Sequence, residues 1–215
     1  MESPYLTVLS PDDRSAVIGV ARRRRYVRNE VLFHEGDPAD TFHILDRGHV
    51  AVRTSTPLGE VALLRVLGPG DAFGEMALMD PTPRMATIVA LDPCETLTLH
   101  RDAFDRLRRD HPDIDRLLLA AMVGEVRRLS ALTLELMYVP VDKRLHRRLV
   151  DLAAIYGDGG PVTIPLTQED LAQLTGTTRQ TSNRVLRAAE ASGLLRVGRG
   201  RIELLDVEGL ARQSR

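Results

Sequence analysis

The sequence predicts an α+β protein: an N-terminal antiparallel β-roll, then one long helix, then a helix-turn-helix that is followed by a β-hairpin wing. Three observations predict this fold. Short segments of strand character alternate with turn residues from Tyr26 to about Leu99, as in antiparallel rolls. A helical pattern runs from Pro112 to about Tyr138. Residues 166–191 have the pattern of two helices joined at a glycine.

The composition limits the class of protein. The 215 residues, 43% of them hydrophobic, suffice for one large or two small domains. Cys94 is the only cysteine, which excludes an internal disulfide framework, a cysteine-ligated cluster and a cysteine zinc site. No apolar run is long enough to span a membrane, and the first residues lack the apolar core of a signal peptide. We therefore expect a cytoplasmic protein with no membrane partner and no metal.

The chain begins with a short helix and a basic run. Ser10 is a suitable N-cap before Pro11, and the helix is predicted to reach about Val20. Four arginines follow at positions 22–25. They are interpreted either as a solvated edge before the first strand or as a patch for an acidic partner.

Six strands are predicted in the roll, because β-branched and aromatic residues recur there between turn signals. They are Glu30–Phe33, Thr41–Leu45, Val50–Thr54, Val61–Leu67, Ala86–Leu91 and Thr96–Leu99. The interior of such a roll can hold a small molecule.

Residues 73–87 interrupt the strand pattern and have the residue types of a sugar-phosphate cradle. A short helical turn from Phe73 to Met79 would present backbone N–H groups, and Gly74 would let a ligand approach closely. Glu75 can accept from a ribose hydroxyl, and Arg84 can pair with a phosphate. The alternative is a structural ion pair between Glu75 and Arg84.

A helix is predicted from Arg101 to Arg109, and the long helix follows Pro112. Its apolar residues repeat at heptad spacing, which favours packing against a second copy of the chain. A single helix buried on both sides within one subunit is the alternative. The proposed seam is Leu118, Met122, Glu125, Leu129, Leu132 and Leu136, and a second stripe of Ile114, Leu117, Ala121 and Gly124 would rest on the roll.

Pro140 marks a domain boundary, which divides the chain into a roll domain (1–110), a dimerisation helix (111–138) and a C-terminal domain (139–215). The last domain is predicted to contain a helix over Leu145–Tyr156 and a strand over Val162–Ile164, then the helix-turn-helix. The elements after it are a hairpin over Leu194–Val197 and Arg201–Leu204 and a helix over Asp206–Arg212.

The helix-turn-helix carries the strongest functional signal. Thr167 and Asp170 have the spacing of a capping box, Gly176 permits the turn, and Thr178 caps the second helix. Its exposed residues Arg179, Gln180, Asn183 and Arg184 can contact base edges and phosphates in a major groove. An ordinary helical hairpin with a solvated face is the alternative.

The charge distribution agrees with DNA binding by the C-terminal domain. Residues 1–137 carry 17 basic and 21 acidic side chains, whereas residues 138–215 carry 12 basic and 9 acidic ones. Arg199 and Arg201 in the wing are also placed for phosphate contact.

The order of these parts resembles the CRP/FNR family of bacterial transcription regulators over about residues 5–210. Three passages carry the resemblance: residues 48–52 (GHVAV), residues 73–86 from Phe-Gly-Glu-Met-Ala through Pro-Arg-Met-Ala, and the helix-turn-helix. It implies a cyclic-nucleotide-binding roll, a homodimer through residues 111–138 and a palindromic double-stranded DNA operator. It also implies a regulator, not an enzyme, that resides in the bacterial cytoplasm and on the nucleoid when bound.

The resemblance also implies roles for particular residues. Gly74 and Glu75 match residues on the ribose, and Arg84 matches the arginine on the cyclic phosphate. The full nucleotide set is Gly74, Glu75, Met76, Arg84, Met85, Leu129 and Ser130. The full DNA set is Thr167, Gln168, Thr178, Arg179, Gln180, Thr181, Arg184, Arg199 and Arg201. Arg22 and Arg24 line up with a surface for RNA polymerase.

Three positions depart from the family pattern. Met85 stands where cyclic-AMP-binding members usually have serine or threonine, and Leu129 stands where a polar residue usually faces the adenine. These changes leave open whether the effector is cyclic AMP, another cyclic nucleotide or none, as in a constitutive regulator. Gln180 replaces a base-reading glutamate, and glutamine pairs with adenine whereas glutamate accepts from cytosine.

Other functions have weaker support. The cysteine count excludes an iron–sulfur sensor, and the six histidines form no evident haem ligand pair. A cyclic-nucleotide module that does not bind DNA is the alternative from another class, and a selection of genomic DNA would separate it from a regulator.

Overall fold

The structure, a computed structural model, describes residues 3–56, 59–80, 82–157 and 161–214. The chain forms two compact units. The first comprises residues 1–55 and 66–129, and the second comprises residues 56–65 and 130–215. Helices and antiparallel strands together confirm the predicted α+β class.

The described part of the roll contains eight strands in two antiparallel sheets of four, in the orders β1-β8-β3-β6 and β2-β7-β4-β5. The strands are β1 (Arg22–Tyr26), β2 (Val31–Phe33), β3 (Thr41–Arg47), β4 (Val50–Ser55), β5 (Val61–Leu67), β6 (Ala72–Phe73), β7 (Thr87–Ala90) and β8 (Cys94–His100). The six predicted strands are therefore confirmed, with ends shifted by one or two residues.

Strand β1 was not predicted, because four consecutive arginines show no alternation of apolar and polar residues. The run was expected to precede the first strand, but it forms that strand itself, with its arginine side chains solvated as expected. Its backbone pairs with β8 from Arg22 opposite Thr98 to Tyr26 opposite Cys94, and it forms an edge of its sheet. The arginine side chains are exposed, and only Tyr26 is buried.

Four helices belong to the first unit beside the long helix: α1 (Pro4–Thr7), α2 (Pro11–Val20), α3 (Met76–Met79) and α4 (Arg101–Asp110). Helix α2 begins as predicted, because the Ser10 hydroxyl accepts from the Asp13 N–H at 3.1 Å. One buried cluster joins strands to helices through Phe42, Phe104, Ile114 and Leu117.

The long helix starts with a 3₁₀ turn at Pro112–Ile114 and continues as α5 (Asp115–Tyr138). The structure contradicts Leu118 as a seam residue, whereas Leu129 and Leu136 of the predicted seam are each 46% exposed. Leu118 is 4% exposed and packs in the core of its own unit, and Met122, Glu125 and Leu132 are partly buried. Gly124, assigned to the stripe on the roll, is exposed, and a Cβ there would meet no atom within 4 Å.

The exposed apolar stripe of α5 lies one residue further along the helix. Leu119, Val123, Val126 and Met137 are 65%, 43%, 63% and 65% exposed. Ser130 and Thr133 complete the heptad spacing, and both are exposed. The core of the unit takes Ile114, Leu117, Leu118 and Ala121, so the exposed stripe lies about 100° further around the helix.

The second unit contains the C-terminal elements. Its described residues form a three-stranded antiparallel sheet in the order β10-β11-β9 and four helices. The elements are α6 (Val141–Tyr156), β9 (Val162–Ile164), α7 (Gln168–Thr175), α8 (Arg179–Ala191), β10 (Leu195–Gly198), β11 (Arg201–Leu204) and α9 (Val207–Gln213). Helix α6 begins four residues before its predicted start, and the other predicted elements are confirmed within one residue.

The local signals of the helix-turn-helix are all present. Thr167 accepts from the Asp170 N–H at 3.1 Å, and the Asp170 carboxylate accepts from the Thr167 N–H at 2.9 Å, which completes the capping box. Gly176 ends α7 with a φ of +65°, a conformation that glycine adopts without strain. The Thr178 hydroxyl accepts from the Thr181 N–H at 3.2 Å and starts α8.

Within the described ranges, no helix has the length and apolar character needed to cross a bilayer.

Candidate anion site and nucleic-acid interface

Arg84 is the central residue of the predicted cradle, and it is 6% exposed. Its Nη2 donates to the Thr41 hydroxyl at 2.6 Å, and its Nη1 donates to the Gly74 carbonyl at 3.5 Å. The guanidinium carbon lies 3.9 Å from the centroid of the Phe33 ring, within the range of a cation–π contact. The planar group is thus held on three sides before any ligand arrives.

The hydrogen bonds of the Arg84 guanidinium go to Thr41 and Gly74, which does not support the alternative of a structural Glu75–Arg84 ion pair. Burial lowers the pKa of Arg84, and the more distant carboxylates of Asp40, Asp37 and Glu75 raise it again. Its Nε–H is buried and has no hydrogen-bond partner among the described residues. A buried cation with unused donors favours an anionic ligand.

Gly74 has to be glycine at this site. Its φ is +76°, and a Cβ there would lie 2.7 Å from Arg84 Nη1 and 2.9 Å from the Thr41 carbonyl oxygen. Glu75 is partly buried and precedes the short helix α3, whose first residue, Met76, is 42% exposed. The structure therefore brings Gly74, Glu75, Met76 and Arg84 into one region of the roll.

The two positions that depart from the family pattern are open to solvent. Met85 follows Arg84 directly and is 67% exposed, so its thioether does not take part in the buried cradle. Leu129 on α5 is 46% exposed and Ser130 beside it is exposed. Their side chains are accessible to a ligand or to another chain.

The sequence analysis missed a buried polar network beneath Arg84. Thr41, His43, Thr96 and Thr98 are polar, yet each is at most 8% exposed. The two strands that carry them are paired, with His43 opposite Thr98. The alternation of residues on β3 and β8 is visible in the sequence. The pairing that makes His43 and Thr98 neighbours is not, because these positions are 55 residues apart.

The recognition helix α8 presents the predicted base-reading side chains to solvent. Arg179, Gln180 and Arg184 are exposed, and together with Asn183 they line one shallow groove on the surface. The opposite face, with Val185, Leu186 and Ala189, is buried. This arrangement matches an amphipathic helix that inserts its polar face into a major groove.

Helix α7 holds a second set of predicted contacts. Asn183 Nδ2 donates to Gln168 Oε1 at 2.8 Å, which ties the first residue of α7 to the recognition helix. The Thr167 hydroxyl donates to Asp170 at 2.7 Å, so the capping box uses that proton. Arg179 lies 3.9 Å from Glu169, which is a weak, exposed ion pair.

The two arginines of the wing differ in their surroundings. Arg201 pairs with Glu203 at 3.1 Å, and Arg196 approaches the same carboxylate at 3.4 Å. Arg199 lies at the exposed tip between Gly198 and Gly200 and has no ion pair with the described residues. Arg199 is therefore the wing cation whose charge is not offset by a neighbour.

Arg144 is a further residue that the sequence analysis missed. Its Nη1 donates to the Leu136 carbonyl near the end of α5 at 3.1 Å, and its Nη2 donates to the Gly176 carbonyl at 3.4 Å. It therefore connects the end of the long helix to the turn between α7 and α8.

The four arginines of β1 alternate between the two faces of the strand. Arg23 pairs with Asp46 and with Glu95, and Arg25 pairs with Glu95 at 2.9 Å. Arg22 and Arg24 are exposed and have no ion pair with the described residues.

Two families of known domains match the chain. Residues 23–111 match the cyclic nucleotide-binding domain, and residues 143–213 match the Crp-like helix-turn-helix domain. The chain is 33% identical over 194 residues to the CRP-like cAMP-activated global transcriptional regulator of Mycobacterium tuberculosis, covering 88% of this chain and 87% of that protein. It is 31% identical over 202 residues to the cyclic AMP receptor protein of Thermus thermophilus, covering 94% and 92%.

A solved structure of similar fold is that of the c-di-GMP-responsive global regulator CLP of Xanthomonas campestris. It has a TM-score of 0.73 and 25% sequence identity, and the match covers 91% of this chain and 99% of that chain.

Proposed function

We propose that the chain, which belongs to the CRP/FNR family of transcription regulators, works as a homodimer whose affinity for a palindromic operator is set by a cyclic nucleotide in the roll. Transcription regulation through a DNA-binding helix-turn-helix, without an enzymatic activity, follows from the family itself. Dimerisation, effector gating and the operator are the parts that we add.

The observation that carries effector gating is the buried Arg84, whose Nε–H has no hydrogen-bond partner among the described residues. Burial of its guanidinium disfavours the charged form, and an anion that binds there would offset this cost. The singly charged phosphodiester of a cyclic nucleotide has the charge and acceptor geometry for a planar guanidinium. Gly74 and Glu75 border the same space and would take the ribose.

The choice of nucleotide depends on the exposed side of the site. Relatives are named for activation by cAMP, and one structural relative is named for its response to c-di-GMP. Met85 offers no hydroxyl, so only its backbone N–H could assist the phosphate. Leu129 would give an apolar contact to a base, for which cyclic AMP is our first candidate.

The proposed dimer uses the exposed stripe of α5 around Leu119, Val123, Val126 and Met137. Large apolar side chains in heptad register on one helix are stabilised by a second, identical helix. The division into residues 1–110, 111–138 and 139–215 remains our proposal for the domains. The boundary between the two compact units falls within α5, at Leu129 and Ser130, so this helix belongs to both. A change in helix pairing would alter the spacing of the two recognition helices.

In the operator complex, Arg179, Gln180 and Arg184 would read base edges, and Thr178 and Thr181 would lie at the helix N-terminus near a phosphate. Thr167, Gln168, Arg199 and Arg201 would contact the backbone. Of these, Thr167 has its backbone N–H and hydroxyl engaged with Asp170, so we assign it the smallest contribution.

A DNA-binding titration with and without cyclic AMP or cyclic GMP tests gating. The probe is a duplex recovered from a random pool by the protein itself. A tenfold change in operator affinity, about 1.4 kcal/mol, supports gating. Equal affinities with and without both nucleotides would instead favour the constitutive regulator. Loss of the response in Arg84→Met, with DNA binding retained, would place the effector at Arg84.

RNA polymerase is the proposed partner of Arg22 and Arg24, whose charges are not offset by neighbours. Reversing both charges should lower activated transcription and leave operator affinity unchanged. Arg23 and Arg25, which are paired with carboxylates, provide the matched control. Unchanged transcription in the first variant would remove the polymerase contact from the proposal.

A further inference from the structure

The network beneath Arg84 connects five buried polar side chains in one line. Arg84 Nη2 lies 2.6 Å from Thr41 Oγ1, which lies 3.1 Å from His43 Nε2. On the other side of the ring, His43 Nδ1 lies 3.3 Å from Thr96 Oγ1 and 3.2 Å from Thr98 Oγ1. The two threonine hydroxyls are 3.2 Å apart.

The donors in this line can be assigned from chemistry. A guanidinium only donates, so Thr41 Oγ1 must accept from Arg84. The hydroxyl proton of Thr41 then has one acceptor among the described residues, which is His43 Nε2. An imidazole that accepts at Nε2 and stays neutral carries its proton on Nδ1, where the Thr96 and Thr98 hydroxyls can accept it.

The surroundings fix the ring in place. His43 is 2% exposed, stacks on Phe73 with a centroid distance of 5.1 Å and an interplanar angle of 4°, and touches Phe33 at 5.8 Å. Burial, together with the smaller effects of the charges of Arg84, Arg24 and His100, lowers the pKa of His43 to about 3. A second cation beside Arg84 is thereby avoided, and the ring stays an acceptor at neutral pH.

We propose that His43 is a positioning residue for the anion site: as the neutral Nδ1–H tautomer it takes the proton of Thr41, so that a lone pair of Thr41 holds the Arg84 guanidinium for the ligand. This inference rests on the proposed function, because it assigns the residues that orient the phosphate-binding cation. Phe33 and Thr41 contact the Arg84 guanidinium. The buried Nε–H, which has no partner among the described residues, is then available to the anion.

The first test is independent of any ligand. Long-range ¹H–¹⁵N spectra of the full chain with labelled histidine report the tautomer and the titration of each ring. We expect a neutral Nδ1–H tautomer for His43, unchanged between about pH 5 and 8, and a shift of its Nε2 signal in Thr41→Val. Thr54→Val, at a partly buried hydroxyl of the same roll that donates to Glu35, is the control. An Nε2–H tautomer, or a ring that titrates near its ordinary value, would overturn the assignment.

The second test measures binding of cyclic AMP and cyclic GMP by calorimetry. His43→Phe keeps the aromatic stack but removes the acceptor, and we expect at least a tenfold loss of affinity for whichever nucleotide the wild type binds. His43→Gln restores an acceptor and a donor, and should recover affinity to within about threefold. His34→Gln on the exposed surface should change nothing. Thermal unfolding of each variant shows whether the roll is folded.

The outcomes separate the two proposals. If the wild type binds neither nucleotide but His43 shows the expected tautomer, the cyclic-nucleotide proposal fails and the positioning of Arg84 stands. If a nucleotide binds and folded His43→Phe binds it as tightly as the wild type does, the role of His43 is disproved and the cyclic-nucleotide site stands.

Discussion

The contact between Asn183 and Gln168 leads to a sharp prediction about DNA recognition. Asn183 lies on the recognition helix, yet its Nδ2 donates to Gln168 Oε1 at 2.8 Å. With that oxygen occupied, the side chain of Gln168 offers a phosphate its NH₂ group, which can only donate. We therefore expect Asn183 to act by orienting a backbone contact, whereas Gln180 reads a base.

The magnitude follows from the strength of one neutral hydrogen bond, about 0.5–1.5 kcal/mol. Loss of about 1 kcal/mol in each half-site of a dimer gives about 2 kcal/mol, which is roughly a 30-fold loss of operator affinity. Asn183→Ala should cause this loss equally on the selected duplex and on a scrambled one. The dependence of affinity on salt should keep its slope, because no charge is removed.

The assay is fluorescence anisotropy with both duplexes at several salt concentrations between about 50 and 200 mM. Gln168→Ala and the double variant complete a double-mutant cycle, and the double variant should bind no more weakly than Gln168→Ala alone. Arg199→Ala is the contrast, because loss of a cation that meets a phosphate lowers the salt slope by about 1 per contact. If Asn183→Ala changed the selected sequence, or if the two single losses simply added, the reasoning would be refuted.

Three further predictions concern specificity, assembly and stability. Gln180→Glu should change the preference at the base pair it meets from adenine towards cytosine, and a binding-site selection that returns the wild-type motif would contradict this. Val126→Asp, at a side chain 63% exposed on α5, should yield monomers in sedimentation velocity. The control Val27→Asp, at a side chain 68% exposed on the roll, should stay dimeric. A dimeric Val126→Asp variant would exclude the proposed stripe. Gly176→Ala should lower the free energy of unfolding by about 1 kcal/mol or more, because φ is +65° and the new Cβ would lie 3.2 Å from Leu136 Cδ2. Gly19→Ala in α2, where a Cβ meets nothing within 4 Å, should instead stabilise the chain by about 0.5–1 kcal/mol, and thermal unfolding measures both.

Elements with local signals could be predicted from the sequence. The capping box at Thr167, the αL turn at Gly176 and the cap at Thr178 each depend on residues three or four apart, and all three are present. The periodicity of α8 likewise separated its buried face from its exposed one. Local hydrogen bonds and one helical period determine these features, so no knowledge of distant contacts was needed.

Features that depend on distant packing were missed or misplaced. Strand β1 exists because its backbone pairs with β8, although its side chains show no strand pattern. Leu118 was assigned to the exposed seam because Leu118 and Met122 fit a heptad as well as Leu119 and Val123 do. Only the contact of Leu118 with the core of its own unit decides between the two registers.

The two candidate sites differ in predictability for a physical reason. DNA is a large partner that comes to the protein surface, so its readers are exposed side chains on one helix, and their periodicity is visible in the sequence. A small anion must be desolvated and held by groups that are already in place, so its site is built from buried residues on several strands. Thr41, His43 and Thr98 become neighbours only through the pairing of β3 with β8, and each alone resembles an ordinary strand residue. The DNA-reading surface can therefore be changed by single substitutions on α8. A substitution meant to change the effector must instead leave intact the hydrogen bonds that hold Arg84.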